Sequence, residues 1–223
     1  MKLLHSLLEK PWLTQTGAAV IPQTSSAIPQ RIALRFFLGA VSVLFLLFIV
    51  TFLSRSQFPD FIALSGQPWQ PFTDSSQLWI NSAILLAASL AMQWGVYSSA
   101  RGQLNASIVA LLLALLLTVA FVLAQVMVWQ QLMSLGYYMN SNPANSFYYL
   151  LTAIHALHLL GGLMVLLRAV YQFSRSAALP QLHNTLALCA SYWHYLLLLW
   201  MLLFLLLTSR SETYAALAAL CGF

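Results

Sequence analysis

Charge is what this sequence lacks. Only 6% of its 223 residues are Asp, Glu, Lys or Arg, whereas 61% are hydrophobic. Soluble domains are about a quarter charged, so solvation excludes a water-soluble globule. The four carboxylates, Glu9, Asp60, Asp74 and Glu212, all lie outside the long apolar runs. Ion-coupled pumps and transporters keep acids inside the bilayer, which argues against an autonomous proton relay or cation pathway. Cysteine is scarce as well: Cys189 and Cys221 are too far apart for a Cys-x-x-Cys motif. Cys189 falls in an apolar segment and reads as a small packing residue. No basic run or basic–aromatic interleave marks a nucleic-acid binder. The one Ser-Gly pair, Ser65-Gly66, sits in a loop without a paired histidine, so an activated serine nucleophile is missing too. Near the start, Leu3–Leu8 is broken by His5 and Ser6 and stopped by Glu9-Lys10-Pro11, which does not read as a secretory signal.

What is present is a series of bilayer-length apolar runs. Residues 1–33, rich in Thr, Ser, Gln, Ala and Pro over their second half, form a polar arm. Five spans then follow at about 34–54, 78–97, 104–131, 147–167 and 184–209, and residues 210–223 form a short tail. The expected fold class is all-α, a polytopic membrane helix bundle. The third run is the longest and is expected to tilt or project beyond the hydrocarbon. Between the first two spans, Gln57–Gln77 holds three prolines and several aromatics and reads as a loop at the interface. On the N-terminal side of the membrane fall Lys2, Lys10, Arg31, Arg35, Arg101, Arg168 and Arg175; Arg55 and Arg210 fall opposite. The positive-inside rule then places the N-terminus in the cytoplasm and the C-terminus outside.

Polar residues inside the spans recur at helical spacing. Gly39 and Ser42 form a small-x-x-small pair on the first span, a hint of a packed face. Ser82, Ser89 and Gln93 share one face of the second, and Thr118, Gln125 and Trp129 recur along the third. The fourth span, Phe147 to Leu163, is the element around which the rest is organised. His155 and His158 lie about 60° apart, Gly162 returns to the azimuth of His155, and Tyr148 and Thr152 extend the stripe. Polar side chains in hydrocarbon need a partner helix, and glycine lets one approach. The fifth span carries Ser191-Tyr192-Trp193-His194-Tyr195 near its middle, with Trp200 seven residues beyond Trp193. Two readings of the histidines stand side by side. Either they are neutral groups in a helix seam, or His194 joins His155 or His158 as axial ligands of a haem in an electron-transfer protein.

Four of these segments resemble one family. Ile154-His155-Ala156-Leu157-His158-Leu159-Leu160-Gly161-Gly162 is similar to the His-Gly-x-His-x-x-x-Gly helix of subunit III of haem–copper cytochrome c oxidases. Tyr192-Trp193-His194-Tyr195 with Trp200 resembles its Tyr-Trp-His-Phe-x-Asp-x-x-Trp signature. Leu78-Trp79-Ile80-Asn81-Ser82 resembles its Leu-Trp-Leu-Asn-Thr entry to the second span, and Gln125 matches a glutamine in the third. The resemblance covers roughly residues 34–209. It implies a five-helix bacterial-type form without the two N-terminal helices of longer relatives. The implied role is non-catalytic: the subunit packs on subunit I, shares its complex with subunit II, and sustains proton uptake in a respiratory oxidase of the bacterial inner membrane. Haem and copper then belong to the partner subunits, and bound phospholipid is the one ligand implied for this chain. Trp79, Asn81, Gln125, His155, His158, Gly162, Tyr192, Trp193, His194 and Trp200 become seam or motif residues, with no catalytic or metal role. Three acids of the family pattern are replaced: Ser42 or Val43 stands for a buried Glu, Leu197 for the Asp after the aromatic signature, and Met127-Val128 where a Glu follows the glutamine.

Overall fold

The computed structural model describes residues 27–65, 71–72, 75–175 and 179–222. Among the described residues six helices follow one another: α1 Ala27–Arg55, α2 Ser76–Ala100, α3 Leu104–Ser134, α4 Pro143–Arg175, α5 Leu179–Leu207 and α6 Ser211–Cys221. Among the described residues there is no strand. Helices α1 to α5 are each long and apolar enough to cross a membrane. An α-helix satisfies its backbone within one segment, as hydrocarbon requires. The chain is thus an all-α, multi-pass membrane bundle.

The turns that set its antiparallel order are fixed by local chemistry. Gly102 has φ of 72°, where its N–H donates to Ser99 O and the Gln103 N–H to Ser98 O. Those paired bonds stop α2 in a Schellman motif, and only glycine takes that φ without strain. Gly136 ends α3 the same way, with its own N–H on Met133 O and that of Tyr137 on Leu132 O. Asn142 then caps α4: its Oδ1 accepts from the Ala144 N–H at 3.3 Å, ahead of a proline at the first helical position. The same Oδ1 accepts from the Ile62 N–H at 3.3 Å, while Nδ2 donates to Ile62 O at 2.6 Å. One side chain therefore pins the α1–α2 loop to the start of α4.

Helix α5 is the hub. It packs against α2, α4 and α1 and reaches α3 through a hydrogen bond. Helix α1 touches α4, α5 and α6 more sparingly, and most of its surface stays exposed. Its C-terminal end is held by an aromatic cluster, with Phe52 edge-on to Phe61, Phe147 and Tyr214 at ring distances of 5.4, 5.5 and 5.1 Å.

Several expected boundaries differ from the helices observed. Helix α1 begins at Ala27, inside the expected polar arm, because Pro29 in a first turn removes only an N–H that has no intrahelical partner. The tail forms α6, whose Tyr214 is buried and donates its hydroxyl to Leu206 O at 2.9 Å. The third membrane-crossing stretch, Leu104–Ser134, is the longest of the five at 31 residues, as expected, although α4 as a whole helix runs to 33. Polar turns at both ends of the apolar run of α4 remain helical. Gly39 does not lie on a packed face: a Cβ built there meets nothing within 4 Å. The arm over residues 1–26, the stretch 66–70 and Asp74 lie outside the described residues.

Candidate functional site

The interior is joined by three indole clips of one design. Trp200 Nε1 donates to Ser82 Oγ at 2.9 Å, Trp193 Nε1 to Thr118 Oγ1 at 3.0 Å and Trp129 Nε1 to Thr152 Oγ1 at 3.2 Å. In each pair the hydroxyl gives its own proton to the carbonyl four residues earlier: Leu78 O, Ala114 O or Tyr148 O. An indole is a donor only, whereas a hydroxyl keeps acceptor capacity after donating. A Ser or Thr on one helix and a Trp on the next therefore leave no N–H bare in hydrocarbon. The clips join α2 to α5, α3 to α5 and α3 to α4.

An amide relay crosses three helices beside them. Asn81 Nδ2 donates to Gln125 Oε1 at 3.2 Å, and Gln125 Nε2 donates to the Tyr148 hydroxyl at 2.9 Å. All three side chains are buried. Further along, Ser99 Oγ meets His183 Nδ1 at 3.0 Å. With Ser82 on Trp200 and Ser89 on His194, these contacts step up α2 as they step down α5, as antiparallel packing requires. The Ser82, Ser89 and Gln93 stripe thus faces α5.

Gly162 marks the closest approach of α4 and α5. A Cβ built there would stand 2.5 Å from Tyr192 Cε1 and 3.3 Å from the Trp193 ring. Tyr192 cannot swing away freely, since its hydroxyl donates to His158 O at 2.8 Å.

The three intramembrane histidines occupy three different surroundings. His155 is fully buried with its ring 5.3 Å from Trp200 and 6.1 Å from Phe121, and its nitrogens find no hydrogen-bond partner among the described residues. His158 turns toward α1, between Phe37 and Phe45, and bonds through Nδ1 to its own Ile154 O at 2.8 Å. His194 lies on the outer surface. Its Nε2 meets Gln93 Oε1 at 3.0 Å and its Nδ1 meets Ser89 Oγ, so both ring nitrogens are engaged. Pairing His194 with either of the others around one haem is not favoured by this arrangement. Among the described residues no group of three or more His, Cys, Asp or Glu could hold a metal ion.

Of the remaining expected residues, Asn81, Gln125, Trp193 and Trp200 are buried, whereas Trp79 is 55% exposed and stacks edge-on against Phe204 at 4.7 Å. Sequence reading missed the bond between Ser42 Oγ and the Tyr195 hydroxyl, at 2.9 Å, which ties α1 to α5. The available signal was a tyrosine where the aromatic signature of the family has phenylalanine. Along the α4–α5 seam, a groove of about 440 Å³ runs between α1, α4 and α5, lined by Leu34, Phe37, Leu157, Gly162, Val165 and Tyr192 among others. Arg31 and Arg35 stand at its end, sharing Leu34 and Leu188 with it.

The Trp200–Ser82 clip joins two of the segments that carry the family motifs, and comparison with known proteins agrees. The family described as Cytochrome c oxidase subunit III matches residues 20–211. A probable cytochrome c oxidase subunit 3 of Mycobacterium leprae (strain TN) is 29% identical over 160 residues, covering 71% of this chain and 76% of its own. Cytochrome c oxidase subunit 3 of Thermostichus vulcanus is 24% identical over 156 residues, covering 67% and 76%. That of Gallus gallus is 26% identical over 126 residues, covering 56% and 47%. A bundle whose helices are joined by buried polar pairs, matched over most of its length by these proteins, belongs to the cytochrome c oxidase subunit III family, the non-catalytic third subunit of haem–copper oxidases.

Proposed function

We propose that this chain serves a bacterial respiratory oxidase as a packing subunit, seated directly on subunit I in a complex that also holds subunit II. Haem and copper reside in those partners. The observation that carries this reading is the carboxylate-free seam: Asn81 donates to Gln125, and the three tryptophans donate to Ser82, Thr118 and Thr152. Such groups fix helix positions and offer no titrating acid for proton transfer. Its support for proton uptake is therefore indirect, through the shape it imposes on its neighbour.

The excess of Arg and Lys on one side supports a cytoplasmic N-terminus in the bacterial inner membrane. The apolar groove beside Arg31 and Arg35 suits a phospholipid, its acyl chain against Phe37 and Leu157 and its phosphate toward the guanidinium groups. The test is affinity purification of the tagged chain in mild detergent with a reduced-minus-oxidised spectrum of the eluate. Haem- and copper-bearing subunits are expected to co-purify. A haem spectrum from this chain alone, without partners, would overturn the reading.

A further inference from the structure

The outer surfaces of the bundle are not alike. On α3 the outward stripe is Leu112, Leu116, Val119, Leu123 and Met127, and on α4 it is Leu157, Leu160, Met164, Val165 and Leu167. Both are wholly apolar, as a lipid-facing surface should be. The open side of α5, between α1 and α2, differs. His194 is exposed there, hydrogen-bonded to Gln93 of α2. His194 lies 11 residues after His183 and 13 before Leu207, near the middle of the membrane-crossing stretch of α5.

His194 spends both ring nitrogens on Ser89 and Gln93. Gln93 spends only one end of its amide: no hydrogen bond from Nε2 occurs among the described residues. Turning the amide over changes which end is free but not that one is. Gln93 lies seven residues inside the end of α2 at Ala100, and an amide left open within a membrane-crossing helix on an outward surface is costly against lipid and is satisfied by a protein group. The surroundings suit a helix. Ala83, Leu86, Leu90 and Gln93 recur along α2 at spacings of three and four, all partly or fully exposed, beside His194 and Leu198 of α5. Ala83 is small enough to let a backbone approach.

We infer that the α2–α5 face around Gln93 and His194 is the docking surface for a transmembrane helix of a metal-bearing oxidase subunit, one that offers a carbonyl, hydroxyl or amide oxygen to the Gln93 amide. This rests on the subunit role proposed above and names the side of the bundle that performs it. Lipid covers the α3 and α4 faces instead.

The test places a photo-crosslinking phenylalanine analogue at Leu198 or, as control, at Leu116, in the full chain within the assembled complex. Leu198 is expected to give an adduct with a haem-bearing subunit at ten times the yield of Leu116 or more. In parallel, Ala83→Trp is expected to lower co-purification of that subunit at least tenfold, while Leu116→Trp changes it less than twofold. Equal adduct yields, an adduct only with lipid or with a second copy of this chain, or unchanged co-purification in Ala83→Trp would overturn the face assignment. If Ala83→Trp is lost from the membrane altogether, the crosslink alone decides. Failure of the unmodified chain to bring down any haem-bearing subunit would instead sink the subunit role itself.

Discussion

Helices α5 and α1 solve the same problem in opposite ways. Helix α5 is bound to its neighbours by Trp193, Trp200, His194 and His183, each meeting a hydroxyl on another helix, and by contact at Gly162. Helix α1 is hydrogen-bonded across helices within the membrane through Tyr195 alone among the described residues, to Ser42 Oγ at 2.9 Å and Leu38 O at 3.4 Å, and otherwise leans on ring contacts of Phe37 and Phe45 and on the aromatic cluster at its C-terminal end. In lipid, apolar contact alone does not drive association as it does in water; fit and hydrogen bonds do. The hub is therefore fixed in register, whereas α1 is held more sparingly along its length.

Mutations can break or sharpen that contrast. The largest effect is expected at the hub. Gly162→Leu forces a side chain into Tyr192 and Trp193 and should destabilise the bundle by about 3 kcal/mol, the upper end of the usual overpacking cost. Thermal unfolding in mild detergent would read this as a clear fall in midpoint, and an unchanged midpoint would deny the close contact. Next, Trp200→Phe removes one clip and should cost about 1–2 kcal/mol. A double-mutant cycle with Ser82→Ala should return a coupling of about 0.6 kcal/mol or more if the pair acts as a unit. Smaller still, Ser42→Ala should cost about 0.5 kcal/mol. It should raise hydrogen exchange in α1 without disturbing α5; slowed or unchanged exchange in α1 would mean that its anchoring lies elsewhere.

The smallest effect concerns the C-terminal end of α1. Arg55 and Asp60 form a bidentate, exposed pair, and hydrogen bonding to the Arg55 guanidinium holds the Asp60 carboxyl below its ordinary value of 3.8. A depressed folded-state pKa means that the contribution is present above the unfolded value and fades as pH falls through the lower folded one. Melts at pH 7 and pH 3 should therefore differ by slightly more in the wild type than in Asp60→Asn, and added salt should erase the difference.

Much of this contrast was legible in the sequence. Serines at 82 and 89 with Gln93 declared a protein-facing stripe on α2, and Gly162 with the aromatic signature marked a close helix contact. Both follow from helical periodicity, which needs no partner to be known. What could not be read was which neighbour each polar residue would meet. Spacing alone put His155, His158 and Gly162 on one seam, but His158 turns to α1, His155 to Trp200 and Gly162 to Tyr192. A 60° difference in azimuth is enough to choose a different neighbour. Gly39 misled for a related reason: a small residue permits close packing without requiring it. Helix α6 went unseen because 11 residues are too few to span, and its stability comes from burying Tyr214 against α1 and α5.

The Ser42–Tyr195 bond links residues 153 positions apart. At synthesis rates of about 5–20 residues per second, α1 waits roughly 8–30 s in the membrane before its partner tyrosine exists, and longer for Tyr214. Only a helix whose surface lipid already satisfies can wait that long. Helix α2, carrying Asn81, Ser82, Ser89 and Gln93, could not, and the three-residue turn at Arg101–Gln103 brings α3 to it at once. The order of the helices along the chain is thus also a schedule, with the most self-sufficient span made first and its clasp made last.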